Sequence, residues 1–261
     1  MALVFYKQWR RLVRVIRSTL LGKIAYEAAF EGKTRSIHFV VATRSPERSF
    51  WTETMTGRKL AALRSNSEVK TTVFFENREG LPAVYNRALV ESQADDTVVF
   101  VHDDIWLNDA NVLERIRAGT KQFDIIGIAG NRRRVDAQPA WLFRAIEGGN
   151  FIWDHPNLSG AVRTGNQKSS ALSYFGAAPA PCKLLDGVFL AARRKTLRRA
   201  GVKFDETFDF HLYDMDFCRT AEKAGLTMGT WPIDLVHESG GAFGSDGWKR
   251  NFAVYLKKWK K

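Results

Sequence analysis

From Ser36 onward the chain alternates short apolar runs with stretches in which apolar residues recur at three- and four-residue spacing. Ile37-His38-Phe39-Val40-Val41-Ala42 is the first β-rich run, and the turn-forming Thr43-Arg44-Ser45-Pro46 ends it. The pattern predicts a helix over 50–64, a strand over 69–75 closed by Glu76-Asn77, and a helix over 81–93 with Pro82 in its first turn. Residues 97–101 are an unbroken apolar strand that runs directly into His102-Asp103-Asp104. A helix over 111–119, strands over 124–129 and 184–193, and a helical turn over 195–200 follow. A helix over 213–224, stopped by Gly225, and strands over 227–231 and 233–236 complete the series. Strands that are apolar along their whole length, separated by helices, predict an α/β fold with a mostly parallel sheet flanked by helices. Residues 130–183 break this rhythm. Their glycines (130, 148, 149, 160, 165 and 176) and prolines (139, 156 and 179) predict irregular loops or short antiparallel strands, partly mobile.

The composition narrows the class without naming a chemistry. A hydrophobic fraction of 45% and 12% aromatics argue against disorder. Two cysteines, Cys182 and Cys218, are too few for a disulfide scaffold and fit a reducing compartment. No apolar run approaches the ~18–20 residues of a membrane span, and Arg10, Arg11, Arg14 and Arg17 interrupt the start in a way a cleaved signal peptide does not. The expected setting is cytoplasmic. The net charge of +12 is partitioned: residues 1–35 carry +6, residues 248–261 carry +6, and 36–247 is neutral. The domain reading follows the same cuts: a basic amphipathic helical segment over 1–35, a catalytic-type domain over 36–247 and a basic amphipathic tail over 248–261.

On a helical wheel Trp9, Leu12, Val13, Ile16 and Leu20 share one side, with Lys7, Arg10, Arg11, Arg14 and Arg17 opposite. Trp248, Phe252, Tyr255, Leu256 and Trp259 likewise oppose Arg250, Lys257, Lys258 and Lys261. Basic helices with tryptophan on the apolar side suit an anionic membrane interface, at about 1 kcal/mol per nearby cation. The plainer reading is that both pack on the body and show a solvated basic face. Nucleic-acid binding is a third reading, but no zinc-finger spacing or RNA-binding aromatic motif supports it.

Three clusters carry candidate chemistry. Asp103 and Asp104, beside His102, follow the most apolar strand, where open parallel sheets bind ligands. Two acids and an imidazole can hold a divalent cation, although acidic pairs also form solvated turns. The second cluster is Asp205-Glu206, Asp209, His211, Asp214 and Asp216. At helical spacing Asp214 and Asp216 point apart, so one can serve chemistry while the other caps the helix or pairs with Arg219. A carboxyl among Phe210, Tyr213 and Phe217 suits a general base with a raised pKa. The third is His237, after a strand and before Glu238-Ser239-Gly240-Gly241.

In this order the clusters resemble the GT-A glycosyltransferases, in particular a family 2 branch with His-x-Asp in place of Asp-x-Asp. The likeness covers roughly 36–240. It rests on Val101-His102-Asp103-Asp104-Ile105, Leu185-Asp186-Gly187-Val188-Phe189-Leu190, residues 210–217 and Val236-His237-Glu238, with Asn86-Arg87-Ala88-Leu89 matching the helix before the metal-binding strand. The resemblance implies a GT-A, Rossmann-like fold with terminal amphipathic helices, and Mn2+ or Mg2+ held by Asp104 and His237. It makes Asp214 the catalytic base. It assigns Thr43, Arg44, Ser45, Glu76, Asn77, Asn86, His102 and Asp103 to the nucleotide-sugar donor, and Asp186, Gly187, His211 and Tyr213 to the sugar and acceptor pocket. Tyr213 stands where the family has glutamate.

The implied reaction is an inverting transfer from a nucleoside-diphosphate sugar, UDP by likeness, to a glycan or lipid-linked hydroxyl in bacterial surface polysaccharide or lipopolysaccharide assembly. The enzyme would sit on the inner face of the membrane through its basic termini. Two rivals are a nucleotidyltransferase and a non-catalytic membrane-associated binding protein of the same fold. The first normally wants a glycine-rich phosphate loop after the first strand, and Thr43-Arg44-Ser45-Pro46-Glu47 contains no glycine.

Overall fold

The computed structural model describes residues 36–259; the amphipathic segment expected over 1–35 lies outside the described residues. Strand β1 (Ile37–Ala42) leads through two short helices, α1 (Glu47–Glu53) and α2 (Met55–Leu63), to β2 (Val69–Phe74). Helix α3 (Leu81–Glu91) then leads to β3 (Thr97–Val101). β1 lies between β2 and β3, parallel to both, with Ile37 level with Val69 and Thr97. The single helix expected over 50–64 is broken at Thr54. The Thr54 hydroxyl oxygen accepts from the Gly57 N–H at 2.9 Å and so caps α2. A Cβ on Gly57 would lie 1.9 Å from the Phe50 carbonyl oxygen, so only glycine permits this tight corner.

After β3 the chain leaves the sheet. β4 (Ile105–Leu107), α4 (Val112–Gln122), β5 (Ile125–Gly127) and β6 (Ala129–Asn131) follow in order. The hairpin β7 (Phe143–Glu147) and β8 (Asn150–Trp153) comes next, then β9 (Leu158–Gly165) and β10 (Ser170–Gly176). The two-residue strands β11 (Ala180–Pro181) and β12 (Leu184–Leu185) lead to β13 (Phe189–Arg193) and α5 (Arg194–Ala200). Helix α6 (Tyr213–Lys223), β14 (Met228–Thr230), β15 (Leu235–His237) and α7 (Asp246–Trp259) complete the unit.

The main sheet has the order β11-β14-β5-β13-β3-β1-β2, and a second sheet runs β12-β6-β9-β15-β4 with β10 on β9. In the main sheet β13 is antiparallel to both β3 and β5, β11 is antiparallel to β14, and the other pairs are parallel. The mostly parallel expectation holds, with β13 reversed at the centre and the two-residue β11 reversed at one edge. Two long predicted strands are each cut in half. Residues 124–129 become β5 in one sheet and β6 in the other, and residues 184–193 become β12 and β13, with Asp186-Gly187 at the switch. The apolar patterns survive the cut because both halves are buried, so hydropathy alone gives no sign of it.

Residues 130–183, expected to be irregular, are largely antiparallel strands of the second sheet and the β7-β8 hairpin. The glycines mark close backbone approaches: a Cβ on Gly160 would meet the Ile128 carbonyl oxygen at 2.0 Å.

The C-terminal helix corrects the tail reading. It begins at Asp246, and its apolar side is spent on the body: Trp248 and Tyr255 are buried, and Phe252, Leu256 and Trp259 pack against the core. Lys258, expected on the free basic face, bonds Asp205 at 2.6 Å and Asp216 at 2.8 Å, and the Trp259 indole N–H donates to Asp216 at 2.7 Å. Packing, not a membrane-ready apolar face, is what the C-terminal stripe encodes. Among the described residues no helix is long and apolar enough to cross a membrane.

Candidate active site

The acidic turn after β3 is pinned before it does any chemistry. The Thr56 hydroxyl at the start of α2 donates to the His102 carbonyl at 2.6 Å and accepts from the Ile105 N–H at 2.9 Å, and the Thr56 N–H donates to the Asp103 carbonyl. The His102 N–H donates to the Val188 carbonyl, and the Glu238 N–H to the Asp104 carbonyl. The turn is thus tied to α2, to the β12–β13 switch and to the end of β15. Thr56 was invisible as a site residue because a threonine inside a predicted helix carries no signal of its own.

Within this frame Asp104 faces His237, with Oδ2 3.3 Å from Nε2, and the Ser239 N–H donates to the same oxygen at 3.3 Å. Oδ1 of Asp104 is buried with no hydrogen-bond partner. Burial opposes ionisation of Asp104, but the His237 and Ser239 contacts outweigh it and hold the carboxyl well below the usual range. Against the same burial, the Asp104 hydrogen bond and charge raise the His237 pKa. His102, expected as a donor contact, joins this pair: His102, Asp104 and His237 each place a ligand atom within 4.8 Å of the others. Burial pushes the His102 imidazole down to about 4, so it is neutral at pH 7.

The base candidate stands at the start of α6. Leu212 precedes it with φ +62°, a left-handed conformation that costs a branched residue about 1–2 kcal/mol. Such strain is found where side-chain placement matters. Asp214 accepts from the Met215 N–H at 2.8 Å and the Gly187 N–H at 3.1 Å. Burial, with the neighbouring Asp186 charge, raises its pKa to about 7, and burial raises Asp186 as well. Gly187 is glycine for a steric reason: an added Cβ would lie 2.5 Å from the Tyr213 hydroxyl and 2.9 Å from Asp214 Cβ. Asp216 takes the structural half of the split foreseen for this helix, with Lys258 and Trp259 as its partners in place of Arg219.

Two neighbouring cavities open here. One, about 400 Å³, is lined by His102, Asp186, Gly187, His211, Tyr213, Asp214 and His237, with Trp141, Phe175, Phe243 and Trp248 as aromatic walls. The other, about 460 Å³, is lined by Thr43, Arg44, Asn77 and Asp103. Phe210, 52% exposed, borders both. The Thr43 hydroxyl donates to Asp103 at 2.6 Å, while burial raises the Asp103 pKa. Ser45 and Glu76 support the second cavity from behind: the Glu76 N–H donates to the Ser45 carbonyl and the Asn77 N–H to the Thr43 carbonyl.

Asn86 is the exception among the expected donor residues. Its amide clamps the backbone of Phe204 in both directions, at 2.9 and 3.0 Å, and donates to Glu206 at 2.8 Å. It lines neither cavity and braces the loop before α6. The aromatic walls were missed as a set because they come from residues 141, 175, 243 and 248, which only the fold brings together.

A family model described as a glycosyltransferase-like family matches residues 53–238. The chain belongs to that family. Its mostly parallel α/β sheet flanked by helices is the architecture the sequence resemblance implied. Among solved structures this chain is similar to GalNAc-T7 with UDP, GalNAc and Mn2+, at 12% identity and a TM-score of 0.48, covering 86% of this chain and 48% of that one. It is also similar to the mannosyltransferase PcManGT from Pyrobaculum calidifontis in complex with GDP-Man and Mn2+, at 15% identity and a TM-score of 0.46, covering 86% and 63%. A third likeness is A197 from STIV, at 10% identity and a TM-score of 0.40, covering 78% and 82%. The chain spans about half the length of the GalNAc-T7 chain. No curated protein matches it significantly.

Proposed function

We propose that this glycosyltransferase is metal-dependent and moves a sugar from a nucleoside-diphosphate donor, UDP by family likeness, to a hydroxyl of a glycan or lipid-linked acceptor with inversion. The observation that carries this reading is convergence. A carboxyl with a pKa near 7 and a His-Asp-His group lie about one cavity of 400 Å³, with a second cavity alongside for the nucleotide. The unpartnered buried Oδ1 of Asp104 is what a cation site requires, since an oxygen so placed is costly unless an ion takes it up. Asp104 and His237 would hold Mn2+ or Mg2+. Bound there, the ion would supply positive charge for the diphosphate leaving group.

The protein's own part is proton transfer and placement. Asp214, ionised, accepts the proton of the acceptor hydroxyl as that oxygen bonds to the anomeric carbon. The bond from that carbon to the diphosphate oxygen breaks, and its electron pair leaves with the nucleotide. The Gly187 and Met215 N–H groups hold the carboxylate in place for this step. Thr43, Arg44, Asn77 and Asp103 face the nucleotide, while Asp186, His211 and the aromatic walls face the sugar and acceptor. Buried Tyr213 and Gly187 shape the floor between them.

Surface-polysaccharide or lipopolysaccharide assembly in a bacterium is the setting we infer, with the enzyme held on the inner membrane face. Since the C-terminal apolar stripe is used in packing, that attachment falls to residues 1–35. Calorimetric titration with UDP, dTDP, GDP and CDP, with and without Mn2+, tests the reading. One nucleotide should bind only with the metal and lose that binding in Asp104→Ala. Absence of metal-dependent binding to all four would overturn it.

A further inference from the structure

The body carries one strongly basic stretch that neither cavity uses. Residues 193–203 hold six Lys/Arg and no acid, within a span, 36–247, that is neutral overall. They form the end of β13, α5 and the turn after it, and Lys195, Arg198, Arg199 and Lys203 are exposed. Beside them α3 and α5 enclose a groove of about 570 Å³ whose apolar lining includes Leu89, Val90, Leu197 and Val202. Val90, 78% exposed, is the most exposed large apolar side chain among the described residues. Arg87, Arg194, Arg198 and Lys203 also line the groove. Its two acids are already held: Glu79 by the Arg87 guanidinium at 2.7 Å, and Glu206 by the Asn86 amide at 2.8 Å. The surplus charge of the groove is therefore positive. The strand register fixes where this face lies. Arg193 is level with Thr97, the Arg194 N–H donates to the Asp96 carbonyl, and the Thr97 N–H donates to the Ser36 carbonyl. Ser36 is where residues 1–35, with their net +6, join the body, so both basic stretches meet it at the same end of the sheet.

We propose that the α3–α5 face is a docking surface for an anionic phospholipid membrane, with headgroup phosphates on Arg198, Lys203 and the neighbouring cations and Val90 at the acyl boundary. The combination of charges decides between partners. A polyanion such as nucleic acid would use the cations alone, whereas an interfacial membrane contact draws on apolar area and cations together, as this groove offers them. The cations add about fivefold each to attraction near an anionic leaflet. Glu79 lines both the groove and the smaller cavity, so a bilayer on this face would run up to the cavity with the nucleotide-facing residues. The inference shares the membrane setting of the reading above and goes beyond it by placing a contact on the folded body in addition to residues 1–35.

The test uses the full chain. Cys182 and Cys218 are 5% and 0% exposed, so Val90→Cys takes an environment-sensitive nitrobenzoxadiazole label selectively. Leu172→Cys, at a 54%-exposed position on β10 of the second sheet, is the control. On vesicles of phosphatidylcholine with phosphatidylglycerol, the label at 90 should brighten and shift to the blue while the label at 172 does neither. Vesicles of phosphatidylcholine alone should change neither label. Arg198→Glu combined with Lys203→Glu, both at exposed positions, should weaken co-sedimentation with the anionic vesicles by at least about twentyfold. Vesicle binding that leaves the label at 90 in water would confine attachment to residues 1–35 and overturn the proposal. Absence of vesicle binding would overturn it as well, and so would release of the bound protein by duplex DNA at equal phosphate concentration, which assigns the cations to nucleic acid. All three results leave the metal-dependent titration of nucleotides untouched, because that reading stands or falls on Asp104.

Discussion

Asp214→Asn separates the chemical role of this carboxyl from its effect on the fold, and the two should move in opposite directions. A carboxyl raised from 3.8 to about 7 binds its proton more tightly folded than unfolded. Stability from the group is therefore full below pH 4 and is lost as pH rises through 7. A shift of roughly 3 units at ~1.4 kcal/mol each puts the loss near 4 kcal/mol by pH 8, as an upper bound. About 2–3 kcal/mol of it develops between pH 5 and 8. Asparagine has no charge to bury, but it loses one of the two backbone N–H bonds, a cost of about 1 kcal/mol that does not vary with pH.

The variant should thus gain on wild type as pH rises. At this size, 2–3 kcal/mol corresponds to a change of about 5–10 °C in the melting-temperature difference between pH 5 and 8. Thermal melts at both pH values, in chelator so that no bound cation sets the local charge, read it directly. Asp186 and Tyr213 face the same group, and Asp186 titrates with it as a pair, so the transition should be broad. Turnover should fall at least about a hundredfold, as loss of a general base requires. A melting difference flat with pH, or near-normal turnover, would refute both the raised pKa and the role.

Three further substitutions probe the frame. Gly187→Ala should displace Tyr213 and Asp214, destabilising by about 1–3 kcal/mol and lowering kcat, measured by melting and by nucleotide release. Asn86→Ala should cost about 1–3 kcal/mol in chemical denaturation while KM for the donor stays within twofold, because the residue braces Phe204 and touches neither cavity. Lys258→Met should cost about 2–3 kcal/mol in urea unfolding, since it leaves the 1%-exposed Asp216 carboxylate with only the Trp259 N–H; the lysine's 33% exposure keeps this below the loss of a fully buried pair.

The strands and helices that build the main sheet were legible because each has a period or an unbroken apolar run. β3 and the acidic turn after it could be read together, since a buried parallel strand must end at a ligand-binding edge. That Asp214 and Asp216 point to different surroundings was also visible, from helical spacing alone. The sheet switches at 124–131 and 184–193 were not, because burial looks the same in either sheet. The grouping of Asn86 with the donor residues failed for a related reason. A short motif fixes a position on a helix, but only the packing of the loop at 202–206 shows which neighbour the amide meets. The C-terminal stripe of tryptophans and lysines reads equally well as membrane anchor or packed helix; Asp205 and Asp216, distant in sequence, decide it.

The chain passes straight from one sheet into the other at 102–104, 128, 186–188 and 231–234, and the candidate chemistry gathers at the first and third of these passages. The hairpin over 143–153, by contrast, pairs with neither sheet, yet Phe143 and Phe151 pack on Phe243 and Trp248, which wall the 400 Å³ cavity. The molecule is thus modular in a specific sense. The passages cannot be altered without uncoupling both sheets, whereas the hairpin over 143–153, outside both, can lengthen, shorten or change its aromatic residues with the passages left as they are. Variation in the wall of that cavity has somewhere to accumulate that does not disturb the turns carrying the candidate site.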